Sequence, residues 1–103
     1  MTETMLLRGT FGAPYLFYVY PWNHPFHPVG AVYAVLGKAL TGYRVNYVGQ
    51  TGDLARRFDD HHKRPCFDRT GMTHIGIHPA LQESRRLLIE SDLIRAYSPV
   101  CNG

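Results

Sequence analysis

The sequence predicts an α+β fold, in which a small three-stranded antiparallel sheet is flanked by helices. Two short β-prone runs lie on either side of a glycine-bounded loop in "VGAVYAVLGKALTGYRVNYVG", residues 29–49, and so predict a hairpin. A third alternating run, "MTHIGIH", predicts another short strand. A stretch from about Ala80 to Tyr97, between two prolines, predicts a helix. The order from residue 29 onward is therefore strand, strand, helix, strand, helix.

The chain has 103 residues, which is enough for one compact unit and too few for two independent cores. The amino-acid composition of the chain changes at Val29. Residues 1–28 form an N-terminal extension rich in aromatic residues and proline, and residues 29–103 form the main domain. The extension predicts a strand or extended arm that is broken by prolines. One interpretation makes it an added edge strand whose aromatic side chains plug the core. The other makes those side chains stacking platforms for unpaired bases.

The net charge and the cysteine content indicate which partners and which cellular compartment to expect. A formal net charge of +3 and a pI near 9.1 favour polyanionic partners. Two cysteines, Cys66 and Cys101, do not define a disulfide framework, and no secretory leader is recognisable, so we expect a cytoplasmic, reducing location. The longest aromatic run, "YLFYVY", is far shorter than the ~20 apolar residues of a spanning helix, so we expect no membrane partner.

The segment "TGDLARRFDDHHKRP" predicts the first helix, with an N-cap at Thr51 or Asp53 and a stop at Pro65. At 100° per residue, Arg57 and His61 share one flank of its apolar stripe. Arg57 is then either a ligand-binding side chain or one that only reaches along the surface to solvent. The solvent side of this helix carries Arg56 and Lys63.

Two tyrosines near the predicted hairpin are candidates for chemistry. If the hairpin is symmetric about Leu40, Tyr33 and Tyr47 are cross-strand neighbours on one face, with Cβ atoms ~5 Å apart. They could equally form an aromatic pair that only stabilises the sheet.

A carboxylate at an apolar position marks the second helix. The helical wheel places Glu90 between Leu87 and Ile94 on one side and Leu93 and Tyr97 on the other, which is inside the predicted buried arc. A buried carboxylate needs a partner. It could form an ion pair with an arginine such as Arg57 or Arg86, or it could hold a hard cation such as Mg²⁺, which needs only one or two protein oxygens. The histidine and cysteine spacings do not predict a zinc site.

Taken in order, these features resemble the GIY-YIG nuclease family over residues 30–102. The first signature matches Ala31-Val32-Tyr33 and the second matches Tyr47-Val48-Gly49. They are followed by "TGDLARRFDDHH", by Glu90, and by "SPVCN", which ends in Asn102. Ala31 stands in place of the family's first glycine, and the two tyrosines lie a few residues farther apart than is typical. We expect the extra length in a loop between Gly37 and Gly42.

The resemblance implies a metal-dependent DNA endonuclease that hydrolyses phosphodiester bonds. A tyrosine would be the general base, which requires a nearby cation because an ordinary phenol has a pKa near 10. The implied catalytic residues are Tyr33, Tyr47, Arg57, His61 and Glu90, and Glu90 would hold Mg²⁺ or Mn²⁺. Arg57 would clamp the phosphate, and His61 would bind a phosphate or assist proton transfer. The implied substrate-binding residues are Arg56, Lys63 and Asn102.

The size of the chain leaves no room for a separate DNA-reading domain. The aromatic extension therefore favours single-stranded or branched DNA as the substrate. The alternative is a nucleic-acid-binding module that keeps the fold and lacks the reaction. A third possibility is that Glu90 serves stability alone, paired with Arg86.

Overall fold

The structure, a computed structural model, describes residues 2–56 and 61–103. Within them the chain forms five strands, two α-helices and a 3₁₀ turn. In chain order these are β1 (Glu3–Arg8), β2 (Pro14–Pro21), β3 (Ala31–Ala39), β4 (Gly42–Thr51), α1 (Arg64–Arg69), β5 (His74–Pro79), α2 (Glu83–Tyr97) and the 3₁₀ turn Val100–Asn102. The predicted α+β class is confirmed.

The five strands form one antiparallel sheet in the order β1-β2-β5-β3-β4, so the predicted three-stranded sheet is wrong in its size. The three predicted strands are present as its β5-β3-β4 part. The N-terminal extension adds a hairpin of two strands, and β2 pairs with β5, which would otherwise be an edge. Because of the prolines in the N-terminal extension, the sequence predicted a strand or arm broken by them. They lie instead at the ends of β2 and in the loop after it, where a missing N–H disturbs no ladder.

Both faces of the sheet are buried around the interior strand β3, which lies between β5 and β4. One face, here called the helix face, packs against α2 and includes Phe17, Val32, Leu36, Ile89 and Leu93. The opposite face, here called the tyrosine face, carries the side chains of Tyr33, Val35, Tyr47, Ile75 and Ile77. Alternate residues of β3 point to alternate faces and nearly all are buried, which explains why this segment reads as a continuous apolar run.

The first helix lies later in the chain than predicted. It spans Arg64–Arg69 and has a proline in its first turn, whereas the described residues 53–56 and 61–63 of the predicted helix are not helical. The carboxylate of Asp53 accepts the Ala55 N–H, but a turn follows. Pro65 was interpreted as a stop. A proline suits the first turn of a helix equally well, because its missing N–H has no intrahelical partner there, so it begins this helix.

The second helix ends where predicted, at Tyr97, with Ser98 in a left-handed conformation and Pro99 after it. It begins at Glu83, three residues later than expected. The buried guanidinium of Arg86 explains the delay, because it binds the carbonyl groups of Ala80 and Leu81 and holds these residues outside the helix.

Side chains of α2 also fasten the N-terminal hairpin. The carboxylate of Asp92 accepts the Thr10 N–H at 2.8 Å and the Tyr15 hydroxyl at 2.9 Å. The Thr10 N–H, followed by the Tyr15 hydroxyl, lowers the pKa of Asp92 from its ordinary value. The Tyr97 hydroxyl accepts the Arg8 N–H at 3.1 Å. These bonds join β1 and its turn to the helix.

Cys66 and Cys101 form a disulfide that joins α1 to the 3₁₀ turn, with Cα atoms 5.8 Å apart. The expectation of a reduced pair in a reducing location did not anticipate this bond, because 35 residues separate the two cysteines in the chain and only the fold brings them together. No helix in the described part of the chain is long and apolar enough to cross a membrane.

Candidate functional site

The β3–β4 hairpin brings Tyr33 and Tyr47 into contact on the tyrosine face. Their ring centroids lie 6.1 Å apart. They are not direct partners as expected, because Tyr33 pairs with Gly49 and Tyr47 pairs with Val35. The two phenols are therefore diagonal neighbours, a separation that aromatic side chains span easily.

A β-bulge sets this arrangement. The register shifts between Val35 and Leu36, and Asn46 is the extra residue on β4. Without the bulge, Tyr47 would lie opposite Ala34 and would point to the helix face, because a shift of one residue reverses every side chain of a strand. The hairpin loop is also shorter than predicted. β3 continues through Gly37 to Ala39, so the extra length lies in the strands and the bulge rather than in a loop from Gly37 to Gly42.

His61 completes a three-ring cluster with the two tyrosines. Its ring centroid lies 6.2 Å from that of Tyr33 and 5.4 Å from that of Tyr47. Nε2 of His61 lies 3.0 Å from the Tyr33 hydroxyl oxygen, and Nδ1 accepts the Lys63 N–H at 3.0 Å. Because Nδ1 is an acceptor, the hydrogen-bond pattern assigns the proton of the neutral ring to Nε2. His61 therefore donates to the oxygen of Tyr33.

Gly49 provides the space that the Tyr33 side chain occupies. A Cβ atom at this position would lie 2.5 Å from the Tyr33 hydroxyl oxygen and 2.9 Å from Cε2 of Tyr47. The hydroxyl of Tyr33 therefore lies directly over the backbone of β4. Since β4 is an edge strand, this places the phenol oxygen next to the rim of the sheet.

Side chains from other parts of the chain cover the cluster and shield it from solvent. Phe67 of α1 contacts the rings of Tyr47 and His61, with centroids 5.3 and 4.9 Å away. Leu54 also packs against this core, and Trp22 packs on Phe67. Tyr33 is 0% exposed, His61 5% and Tyr47 8%.

The aromatic residues of the extension are mostly used for packing. Tyr15 and Phe17 are buried in the core of the helix face, and Tyr20, Trp22 and Phe26 pack against that of the tyrosine face. This agrees with the interpretation that they plug the core. Some aromatic surface remains exposed, since Tyr18 is 38% exposed, an exposed His24 stacks on Tyr20, and Arg64 lies over Trp22.

Asn102 closes the edge of β4 beside the tyrosines. Its Oδ1 accepts the Val48 N–H at 2.8 Å, and its Nδ2 donates to the Val48 carbonyl at 3.0 Å. The amide thus imitates a neighbouring strand. The residue expected to contact substrate here holds the backbone between Tyr47 and Gly49.

Glu90 lies on α2, the helix that covers the opposite face of the sheet from the tyrosines. The buried positions of α2 are Arg86, Ile89 and Leu93, whereas Leu87 is 46% exposed, so Glu90 is half-buried at the margin of the buried stripe. The predicted buried position is thus met only in part, because Glu90 is half-buried between the buried stripe and Ile94, which packs on the same core. The hydrophobic pattern could not show that an arginine occupies a core position of this helix.

The guanidinium of Arg86 binds groups around the start of α2. Besides the two loop carbonyls, its Nε donates to Oε1 of Gln50 at 3.0 Å. The guanidinium also lies so close to Gly30 that a Cβ atom there would meet it at 2.5 Å. These partners fix the start of α2 against the end of β4.

The three remaining basic candidates differ in position. Arg56 is exposed on the turn after β4, and Lys63 is half-buried just before α1. Arg57 falls outside the described residues. The structure thus brings together Tyr33, Tyr47 and His61, with Asn102 beside them at the strand edge.

Glu90 is the residue that the resemblance assigns to a metal ion. The described residues contain no group of three or more His, Cys, Asp or Glu that could hold an ion. Glu90 offers carboxylate oxygens, which are the donors that Mg²⁺ and Mn²⁺ take, and such ions fill most of their coordination with water and phosphate oxygens. Its donor chemistry therefore fits the expected cofactor.

No protein-family model, curated protein or solved structure matches this chain. The resemblance to the GIY-YIG family therefore stays a prediction from the ordered motifs.

Several residues that build the site were not singled out from the sequence. Phe67 lies between the predicted helix stop at Pro65 and the predicted strand that begins at Met72, where no element was expected. The sequence around Asn46 did not indicate a bulge. Gly49 was recognised as part of a motif, and only the structure gives its steric role. An aromatic residue between Pro65 and Gly71 was the one available signal that this segment packs against the core.

Proposed function

We propose that this protein is a metal-dependent DNA endonuclease that hydrolyses phosphodiester bonds, with single-stranded or branched DNA as its substrate. The observation that carries the proposal is the buried hydrogen bond between Tyr33 and His61 beside Tyr47, at the place where the motifs put a catalytic base. A buried imidazole needs hydrogen-bond partners in any role, so the support lies in the identity of this partner, the tyrosine that the motifs assign as base.

In this proposal Tyr33 takes a proton from the attacking water. His61 donates to the same oxygen, so it stabilises the phenolate that a base must form before it accepts that proton. Tyr47, in ring contact with both, fixes their orientation. Arg57 would stabilise the negative charge that develops on the phosphate. Contact with substrate requires the side chains over the tyrosine face to move, because Tyr33 is fully buried.

Glu90 would hold Mg²⁺ or Mn²⁺. When bound, such an ion supplies Lewis-acid stabilisation of the phosphate and of the leaving oxygen. α2 packs chiefly on β4, and the Tyr33 hydroxyl lies over the same strand at Gly49. β4 therefore lies between the helix that carries the acid and the phenol oxygen.

Exposed groups around the cluster support a nucleic-acid substrate. Arg56 is exposed on the turn after β4, Arg64 is exposed over Trp22, which packs on Phe67, and the net charge is positive. Tyr18 and the stacked pair of Tyr20 and His24 offer ring faces on which unpaired bases could stack.

The test is a cleavage assay on single-stranded, duplex and flap oligonucleotides with Mg²⁺, Mn²⁺ or EDTA. We expect metal-dependent cleavage of the single-stranded and flap substrates. Tyr33→Phe should reduce the rate by about 10²–10⁴-fold, the usual contribution of a general base. Glu90→Gln should abolish the response to metal. Glu83→Gln, which changes an exposed acid on the same helix, is the matched control and should cleave like wild type.

The second candidate is a nucleic-acid-binding module without catalysis. The full burial of Tyr33 and the position of Glu90 on the opposite-face helix favour it. The same oligonucleotides distinguish the two functions in a gel-shift experiment. A shift without cleavage under every metal condition supports the binding module and rejects the nuclease.

A further inference from the structure

The Cys66–Cys101 disulfide connects two elements that hold Tyr47 from different sides. Next to Cys66, Phe67 packs on the rings of Tyr47 and His61. Next to Cys101, Asn102 binds both backbone groups of Val48, the neighbour of Tyr47. One covalent bond thus ties α1, the 3₁₀ turn and the edge of β4 together.

The two cysteine residues differ in exposure. Cys101 is buried at 1% exposure, whereas Cys66 is half-buried. Thiol exchange begins by attack on one sulfur of a disulfide, so Cys66 is the point of entry for a reductant and Cys101 is the leaving group.

The surroundings also accommodate the reduced state. The hydroxyl oxygen of Thr70 lies 3.8 Å from Sγ of Cys101 and donates its own hydrogen to the Cys66 carbonyl at 2.8 Å. A Cys101 thiol could therefore donate its hydrogen to this oxygen. The buried sulfur has a polar neighbour in both redox states, which suits a reversible bond.

We propose that the Cys66–Cys101 disulfide is a redox-sensitive clamp that holds Asn102 on the edge of β4. In reduction, a thiolate of a small dithiol attacks Sγ of Cys66 and displaces the Cys101 thiolate, which takes up a proton. The second thiol of the reagent then attacks the mixed disulfide and releases Cys66, which is also protonated. The reagent becomes a disulfide and the two cysteines gain two electrons and two protons.

Once the clamp opens, the 3₁₀ turn loses its covalent attachment to α1. The Asn102 amide then exchanges its bonds to Val48 for bonds to water, and this stretch of β4 becomes an unpaired edge. The effect on structure is independent of any activity. Its consequence for cleavage, slower reaction in the reduced form, rests on the proposed function.

Amide hydrogen exchange of the full chain, followed by NMR, tests the clamp directly. The oxidised form is prepared with oxidised glutathione and the reduced form with excess dithiothreitol, and thiols are counted by alkylation and mass measurement. We expect the Val48 amide to exchange about five- to tenfold faster after reduction, the effect of losing one hydrogen bond. The amides of β2, which lies between two strands, should be unchanged.

Two variants complete the experiment. Asn102→Ala should give fast Val48 exchange in both redox states. In the double variant Cys66→Ser with Cys101→Ser, the Val48 amide should exchange at the rate of reduced wild type. Dithiothreitol should not change that rate. Equal Val48 exchange in oxidised and reduced wild type overturns the proposal, as do two alkylatable thiols after treatment with oxidised glutathione. A Val48 response in a protein that never cleaves DNA rejects the proposed function and leaves the clamp standing.

Discussion

At the scale of single residues, the space over Gly49 is what allows the Tyr33 hydroxyl to reach the rim of the sheet. Gly49→Ala would put a methyl group 2.5 Å from that oxygen, so the phenol must shift or the strand must move. We expect a loss of about 1–3 kcal/mol in the free energy of unfolding, the usual cost of overpacking. Urea denaturation measures it.

Gly52→Ala is the matched control for this substitution. A Cβ atom there has its nearest neighbour at 3.6 Å, an ordinary contact with an Arg86 nitrogen. We expect a change within about 0.5 kcal/mol, as for most surface substitutions. If both alanine variants are equally stable, the steric role assigned to Gly49 is wrong.

The hydrogen bond between His61 and Tyr33 makes a second prediction. In a double-mutant cycle with Tyr33→Phe and His61→Asn, we expect a coupling free energy of about 1 kcal/mol or more, because the two atoms share one buried hydrogen bond. Asparagine can still accept the Lys63 N–H and so separates this bond from the backbone contact. Additive effects in urea denaturation would show that the two side chains do not act together.

The three residues of the ring cluster were predictable, but their geometry was not. Tyr33, Tyr47 and His61 follow from the motif order, because tyrosine and histidine at those positions have a chemical purpose in the family that the chain resembles. The diagonal contact depends on the bulge at Asn46. An asparagine inside a strand is compatible with an edge, a turn or a bulge, so the sequence alone does not choose.

At the scale of elements, Asp92 fastens the N-terminal hairpin to α2 and should make stability depend on pH. Its pKa lies below the ordinary 3.8, chiefly because of the Thr10 N–H and then the Tyr15 hydroxyl. A lowered carboxyl pKa stabilises the fold above the ordinary value, and this stabilisation is lost as the pH falls through the lower folded-state value. We therefore expect Asp92→Asn to unfold at lower urea concentration than wild type at neutral pH, with the difference shrinking below about pH 4.

Asp68→Asn is the control for that comparison. Asp68 pairs with Arg64 on α1, and both side chains are largely exposed. Its removal should change stability by at most a few tenths of a kcal/mol, about what an exposed pair contributes. A difference between wild type and Asp92→Asn that stays constant down to pH 2 would contradict the role of the carboxylate.

The elements show where sequence patterns are ambiguous. Pro65 stops one helix or begins another, and the residues on either side of it fit both interpretations. On α2, the buried stripe includes Arg86, whose partners lie on β4 and on the loop before the helix. A hydrophobic pattern identifies apolar positions only, so it did not show that Arg86 belongs to the buried stripe. The C-terminal ends of β5 and α2, which depend on local signals, were predicted to within one residue.

At the scale of the whole molecule, the two hydrophobic cores are separated by β3 and depend on different parts of the chain. The core of the tyrosine face draws on residues between Tyr20 and Cys101, most of them inside the predicted main domain. The core of the helix face takes Leu7, Tyr15, Phe17 and Val19 from the N-terminal hairpin. The extension that composition sets apart therefore contributes four of the ten buried residues in that core.

The fragment 29–103 tests whether the division at residue 28 describes an independent folding unit. Removing the hairpin exposes the far side of β5 and strips four apolar side chains from the core, worth roughly 6–12 kcal/mol together at about 1.5–3 kcal/mol each. This is comparable with the roughly 5–15 kcal/mol that stabilises a typical domain. We therefore expect the fragment to show no cooperative thermal transition by circular dichroism and to bind a hydrophobic dye.

Phe11→Ser in the full chain, which changes an exposed residue at the tip of the same hairpin, should melt like wild type. A sharp transition in the fragment would show instead that the helix face can close without the hairpin, and that residues 29–103 suffice for the fold.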